Sequence, residues 1–231
     1  MLHRGQIYAG FNHIGWLPDN AAMWLDPNDD AKVTEVTGNA TFIANKGTAA
    51  VLWKADGGSF ERVTVGSRKY LRCVGANGRI RDDGDTTNDI NPLILALTGS
   101  TVITVALLGG SPTGNYAFDP NGTFKCDGAG FPAALIKDAG GNKTATFPGP
   151  SVVNTKVVIV WRWDGTKVYI SINGGAETST AAGDMVFDAF ASSYFPQSLA
   201  GADLGDIITI KDGNPAELPQ IISSLKALHK I

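Results

Sequence analysis

The sequence predicts one all-β domain closed by a C-terminal helix, and three observations support this: the composition, one hairpin and one amphipathic segment. The 231 residues include 28 glycines and 11 prolines. Few apolar stretches are long, which favours many short strands joined by tight turns. A hydrophobic content of 43% and a charged content of 18% suit one large domain with a substantial core.

The hairpin is the strongest local signal in the chain. Asp164-Gly165 supplies residues that tolerate positive φ, between two runs of alternating residues. The first run has one fully apolar face and one mostly apolar face, as expected for a central buried strand. The alternating residues are Val157, Ile159, Trp161 and Trp163 against Val158, Val160 and Arg162, then Val168, Ile170 and Ile172 against Lys167, Tyr169 and Ser171.

Other segments repeat this pattern more weakly. Thr101 to Leu108 and Asp206 to Ile210 are predicted strands, and Asn173-Gly174-Gly175 is a predicted turn. The glycine-rich stretches 109–114, 128–130 and 139–149 are predicted loops.

The C-terminal segment predicts a helix that docks on the sheets. Asn214 is the expected N-cap, Pro215 fits the first turn, and Glu217 completes a capping box, with Pro219 delaying the regular part. One apolar stripe follows at helical spacing, formed by Leu218, Ile221, Ile222, Leu225 and Leu228.

Residues 1–20 differ from the rest, because their aromatic residues follow no regular period. They are predicted to be an extended arm that packs on the domain or on a neighbouring subunit, or else a strand that closes an edge of the sandwich. Residues 21–231 are predicted to form the domain itself.

Three segments, in order, carry a family resemblance. They are the opening Met23-Trp24-Leu25-Asp26-Pro27-Asn28-Asp29-Asp30, the hairpin from Val157 to Ala176, and the stretch from Leu199 to Ile231. Together they resemble the laminin G-like members of the concanavalin A-like lectin/glucanase superfamily, found in bacterial surface proteins and phage particles. At the end this chain has Leu228-His229-Lys230-Ile231, where the family more often has Lys-Tyr-Gly-Ile. The resemblance implies a jelly-roll β-sandwich of two antiparallel sheets; it implies no particular activity.

Charge and composition exclude several classes of protein. With 19 basic and 22 acidic residues spread along the chain, the net charge is -3 and there is no basic footprint for nucleic acid. No apolar run approaches the roughly 18 residues of a membrane helix, and the N-terminus does not resemble a signal peptide. Cys73 and Cys126 are either free core thiols, the first choice in a reducing compartment, or one disulfide.

The sequence predicts no enzyme and no cofactor. Glycosidases need two carboxylates flanking the scissile bond, and the glutamates are few and far apart. The histidines have no nucleophile motif nearby and are interpreted as surface or interface residues. The residues concerned are Glu35, Glu61, Glu177, Glu217, His3, His13 and His229.

One loop and one set of residues are candidate ligand sites. Asp83, Asp85, Thr87 and Asp89 offer oxygen atoms at alternate positions for calcium, but the EF-hand glutamate is absent and no metal site is predicted. Glycan binding needs an aromatic face beside amide or carboxylate groups. The preferred candidates for that role are Tyr116, with Asn115 and Asp119 near it, and Trp53. Phe131 and Tyr194 are further candidates.

The leading functional hypothesis is a structural or adhesion component of a bacteriophage virion, such as a tail fibre, tailspike part or capsid decoration protein, with glycan recognition as an added role. Its expected partners are other virion proteins, cell-surface glycan and copies of itself, for example in a trimer. It would be made in the host cytoplasm. The alternatives are a free-standing bacterial carbohydrate-binding protein and, third, a glycoside hydrolase-related enzyme.

Overall fold

The computed structural model describes residues 21–49, 52–56, 59–74, 79–82, 95–96, 98–109, 114–115, 122–126, 130–186, 194–195 and 202–231. The predicted arm of residues 1–20 and the predicted calcium loop lie outside these residues. The division into arm and domain therefore stays a prediction.

Seventeen strands and one helix are formed within the described ranges. The strands are β1 (Ala21–Leu25), β2 (Val33–Val36), β3 (Asn39–Ala44), β4 (Leu52–Asp56), β5 (Ser59–Val65), β6 (Arg68–Val74), β7 (Arg79–Asp82), β8 (Ser100–Leu107), β9 (Gly114–Asn115), β10 (Gly122–Cys126), β11 (Pro132–Asp138), β12 (Gly141–Thr146), β13 (Lys156–Trp163), β14 (Lys167–Ile172), β15 (Thr178–Ala181), β16 (Tyr194–Phe195) and β17 (Asp203–Ile210). The helix is α1 (Leu218–His229).

The described strands form two antiparallel sheets. The large sheet has 13 strands, in the order β15-β14-β13-β8-β17-β6-β5-β3-β4-β7-β16, with β1 on β17 and β2 on β3. The small sheet has four strands, in the order β12-β11-β10-β9. The prediction of an all-β jelly-roll sandwich with a short C-terminal helix is confirmed.

The predicted hairpin is also confirmed, as β13 and β14. Trp163 pairs with Val168 next to the turn, and Gly165 has a φ of +84°, which only glycine adopts without strain. Strand β13 also pairs with β8 along its whole length, so it lies in the interior of the sheet. This explains its two apolar faces.

Two apolar clusters lie on opposite faces of these central strands. The inner cluster joins side chains of both sheets, for example Phe60, Trp161 and Trp163 with Ala134 and Ile136. The second cluster covers the other face, where α1 packs on the large sheet. It contains Tyr70, Ile103, Val105, Val158, Val160, Ile208, Ile210, Ile221, Ile222 and Leu225. The apolar stripe of the helix is thus confirmed.

The predicted start of the helix was wrong. Helix α1 begins at Leu218, its N-cap is Glu217, and no side chain makes a capping hydrogen bond. The Asn214 backbone N–H instead donates to Asp212 Oδ1 at 2.8 Å. Pro219 lies in the first turn, where its missing N–H costs no intrahelical hydrogen bond. The sequence preceding Glu217 forms a turn, because the Leu218 N–H donates to Pro215 O at 3.1 Å.

The predicted loop at residues 139–149 was wrong in its central part. Residues 141–146 form β12, which pairs with β11. The pairing runs from Asp138 opposite Gly141 to Ala133 opposite Thr146. The glycines there build a tight turn, with Gly141 at a φ of +102° and the Asp138 carboxylate accepting the Gly140 N–H at 2.8 Å. Cys73 lies in β6 and Cys126 in β10, strands of different sheets, and the question of their pairing stays open.

Candidate functional site

The outer face of the small sheet is the candidate site. Core residues Ala134, Ile136 and Ala145 alternate with positions of the opposite face, because successive side chains in a strand point to opposite sides. The pairing register places these outward positions in rows. The first row is Asn115–Lys125–Ala133–Thr146, the second is Thr123–Leu135–Thr144, and the third is Lys137–Asn142.

The described side chains of this outer face suit contact with a polar ligand. Asn142 and Thr146 are exposed, Leu135, Lys137 and Thr144 are half-buried, and Ala133 is buried. Hydroxyl and amide groups therefore surround one aliphatic side chain. The first row crosses three strand spacings, about 14 Å, so the outer face is a platform several sugar units long.

Of the two predicted sugar-binding residues that the structure describes, Asn115 lies in a strand of this sheet and Trp53 does not. Asn115 lies in β9, at the end of the first row, and Tyr116 and Asp119 follow it outside the described residues. Trp53 lies in β4 of the large sheet, where its Cα partners are Ile43 and Asp82. Trp53 and Asn115 thus belong to different sheets. Their roles in sugar binding stay predictions.

The outward residues of β11 and β12 were missed by the sequence analysis. The signal was present in the alternation of Ala134 and Ile136 with Leu135 and Lys137. The neighbouring glycines, which favoured a loop, concealed it.

A second polar cluster lies beneath helix α1, around the Asp206 carboxylate. Asp206 Oδ1 accepts the indole N–H of Trp24 at 2.8 Å. Its Oδ2 lies 2.7 Å from His229 Nε2 and 3.3 Å from an Arg68 nitrogen. Tyr70 Oη lies 2.6 Å from His229 Nδ1. The Nε2–H group donates to the carboxylate, and Nδ1 shares a hydrogen bond with the tyrosine hydroxyl.

This cluster cannot reach a substrate, because the side chains of Asp206 and His229 are both 0% exposed. The interpretation of His229 as a surface residue was therefore wrong. The histidine links the helix to the large sheet instead. Two of the three segments that carry the family resemblance are in contact here, the first through Trp24 and the third through Asp206 and His229.

The cluster holds the pKa of Asp206 below its ordinary value. Burial alone would raise it, and burial is outweighed by the hydrogen bond and the charge of His229, the hydrogen bond from Trp24 and the charge of Arg68. Burial also raises the pKa of the Tyr70 hydroxyl, which stays protonated and able to donate.

The glutamates occupy separate structural roles. Glu35 lies 3.3 Å from the Arg62 guanidinium, and Glu177 pairs with Arg162 through two contacts of 2.5 Å. Glu61 lies opposite Arg72 in the register, and Glu217 precedes the helix. The four glutamates therefore lie in different parts of the fold.

Within the described ranges, no cluster of three or more metal-ligating side chains is found. The predicted residues Asp83, Asp85, Thr87 and Asp89 are outside those ranges. No helix of the described chain is long and apolar enough to cross a membrane.

No known family model matches this sequence, and no curated protein sequence does. Solved structures match it in fold. The binding domain of botulinum neurotoxin DC, in complex with SialylT, matches 90% of this chain with a TM-score of 0.64 and 9% identity. The match covers 51% of the neurotoxin chain, so this chain spans about half the length of that structure.

Two further matches come from glycoside-processing proteins. Domain 4 of AbnA, a GH43 extracellular arabinanase from Geobacillus stearothermophilus in complex with arabinotriose, matches 89% of this chain and 98% of its own, with a TM-score of 0.59 and 13% identity. The Trypanosoma rangeli sialidase matches 89% of this chain and 32% of its own, with a TM-score of 0.59 and 12% identity. The chain therefore has the all-β sandwich fold of these structures, and identities this low show the fold alone.

Proposed function

We propose that this chain is a non-enzymatic glycan-recognition module and that the glycan contacts the outer face of the small sheet. The observation that carries the proposal is the platform of Leu135, Thr144 and Asn142, which continues along the register to Asn115. Sugars present hydroxyl groups and apolar C–H faces, and such a platform offers partners for both.

The structural neighbours support this choice of ligand class. Domain 4 of the arabinanase matches along almost its whole length and was solved with arabinotriose. A second neurotoxin match concerns cell entry dependent on two ganglioside molecules. Glu35 and Glu177 each pair with an arginine, so these two carboxylates do not fit the proton-donating role that a glycosidase needs.

A glycan array tests the proposal, with a variant that removes two hydrogen-bonding groups from the platform. We expect wild-type protein to give saturable binding. Asn142→Ala combined with Thr144→Ala should weaken it at least about tenfold, because each hydrogen bond is worth roughly 1 kcal/mol. Thr34→Ala combined with Thr64→Ala is the matched control on exposed positions of other strands. Absence of saturable binding, or equal loss in the control, would contradict the proposal.

We also propose that the module acts in a bacteriophage particle, as a structural or adhesion component anchored through residues 1–20. The family resemblance and the unusual composition of that arm support this setting. Mass spectrometry and immunogold microscopy of purified particles should detect the protein. Saturable glycan binding without incorporation into particles would instead favour a free-standing bacterial carbohydrate-binding protein. Turnover of a bound polysaccharide would favour an enzyme.

A further inference from the structure

An aromatic side chain lies on the outer face of the β13–β14 hairpin, on the other side of the sandwich from the small sheet. Tyr169 pairs with Arg162 of β13 and with Ser179 of β15. Arg162 shares its side of β13 with Val158 and Val160, which belong to the apolar cluster under α1. Since paired residues lie on the same face of a sheet, Tyr169 points away from the small sheet.

Two contacts fix the position of the Tyr169 ring. Its hydroxyl group donates to Asp164 Oδ2 at 2.6 Å, and the Cζ atom of Arg162 lies over the ring, 3.6 Å from its centre. The other oxygen of Asp164 accepts the N–H groups of Thr166 and Lys167, both at 2.9 Å. These bonds hold the carboxylate in the hairpin turn. The ring is therefore kept in one orientation without any ligand.

The guanidinium over the ring is matched inside the protein. Arg162 is 8% exposed, and its Nε and Nη2 atoms donate to the Glu177 carboxylate. Its Nη1 atom donates to Gly213 O at 2.9 Å. Arg162 therefore supports the ring and is already committed to partners of its own.

The other face of the ring borders small, exposed side chains. Ser179 is the register partner on β15, and Ala181 lies on the same side of that strand; both are exposed. Strand β15 ends the large sheet among the described strands. Tyr169 itself is half-buried. One face of the ring is thus covered by the guanidinium, and the other is directed to the exposed edge of the sheet.

An aromatic face with these neighbours suits a pyranose ring. The apolar C–H groups of a sugar stack on an aromatic face, and polar groups beside that face orient the sugar through its hydroxyl groups. The Ser179 hydroxyl can donate or accept, and the Glu177 carboxylate, with a side chain 32% exposed, can accept. A ring that is already ordered loses little conformational entropy on binding.

We infer that Tyr169, Ser179 and Glu177 form a second sugar site, here called the Tyr169 face, which takes a single pyranose residue. This inference goes beyond the proposed function, because it concerns a different sheet and does not need the platform of the small sheet. The two sites face away from each other, so one module can contact two glycan chains at once.

Titration of the full-length protein, followed through its backbone amide NMR signals, tests the site. The probes are methyl β-galactoside, methyl β-glucoside and xylobiose. We expect at least one probe to shift the amide signals of Tyr169 and of residues 177–179 in a saturable way. Tyr169→Ala should weaken this binding about fivefold or more, in line with the usual contribution of an aromatic contact. Tyr169→Phe keeps the ring and should retain most of the affinity.

Two further variants separate the Tyr169 face from the rest of the molecule. Ser179→Arg places a long side chain against the open face of the ring and should abolish the saturable shifts. Thr34→Arg, a similar change at an exposed position of β2, should leave them unchanged. Asn142→Ala combined with Thr144→Ala alters only the small sheet and should also leave them unchanged.

The outcomes distinguish this inference from the proposed function. Absence of a saturable shift with every probe, or shifts that persist in both Tyr169→Ala and Ser179→Arg, overturns the inference and leaves the proposed function standing. Saturable shifts at the Tyr169 face that these two variants remove support the inference. If the small-sheet variant then has no effect on the glycan array, the proposed function is overturned and the inference stands.

Discussion

At the scale of single residues, Asp206 is a fully buried carboxylate with three side-chain partners. It lies at the register shift between Leu204 and Ile207, where β17 changes its partner from β6 to β1. A fully buried carboxylate is costly unless it is paired and hydrogen-bonded. Donors from β1, β6 and α1 satisfy this one, so the carboxylate links four elements.

The Asp206 cluster predicts a specific dependence of stability on pH. The folded-state pKa lies below the unfolded value of about 3.9. The stabilisation is therefore present above pH 4 and is lost as pH falls through the folded-state pKa. Trp24→Phe removes one donor to the carboxylate and should lower the free energy of unfolding by about 1.5–3 kcal/mol at pH 7. The difference in free energy of unfolding between the variant and wild type should shrink below pH 4. Urea denaturation at pH 7, 5, 4 and 3 measures it.

Trp163→Phe is the matched control for that experiment. The Trp163 indole N–H donates to an uncharged acceptor, Gly183 O, at 3.2 Å. Its loss should cost about 1 kcal/mol plus a packing term, independent of pH. Parallel pH profiles for the two variants would contradict the role assigned to Asp206.

Two buried threonines predict opposite effects of the same substitution. Thr209 Oγ1 is buried without a hydrogen-bond partner among the described residues, whereas Thr101 Oγ1 donates to Asp212 O at 2.7 Å. Thr209→Val should be neutral or should stabilise by up to about 1 kcal/mol. The substitution replaces an unsatisfied hydroxyl group with a methyl group of similar shape. Thr101→Val should destabilise by about 1–2 kcal/mol. Thermal denaturation of both variants checks this, and destabilisation by Thr209→Val would count against it.

At the scale of elements, local sequence patterns predicted the parts whose partners are close in sequence. The β13–β14 hairpin and the apolar stripe of α1 follow from strict periods, and both are confirmed. The helix start was missed because Asn214 and Glu217 are a capping box only if the backbone between them is helical. Strand β12 was missed because Gly140 and Gly141 favour a loop as readily as a tight turn.

The C-terminal end of α1 offers a prediction of its own. Lys230 adopts a left-handed conformation with a φ of 56°, and the family resemblance places glycine at this position. Lys230→Gly should raise the free energy of unfolding by about 0.5–1 kcal/mol, because glycine avoids the left-handed penalty. Lys230→Ala is the control and should give no such gain. Equal effects of the two variants in chemical denaturation would contradict the assignment.

At the scale of the whole molecule, the second sheet and the helix bury the central strands, and the outer face of the small sheet carries polar groups. The central strands are buried on both faces, by the second sheet and by α1. The outer face of the small sheet carries its polar groups at alternate positions. The alternation along β11 was present in the sequence, but the rows across the strands could not be predicted, because they join positions as far apart as Asn115 and Thr146. Sequence analysis identified Asn115 as a candidate and gave no sign of the neighbours that the register assigns to it.

The central claim is that glycan binds on the outer face of the small sheet. Hydrogen exchange of the full-length protein, measured with and without a saturating polysaccharide from the array, tests this claim most directly. The account predicts slower exchange of backbone amides in β10, β11 and β12, and unchanged exchange in α1 and β2. Protection confined to the large sheet, with the amides of the small sheet unaffected, would contradict it.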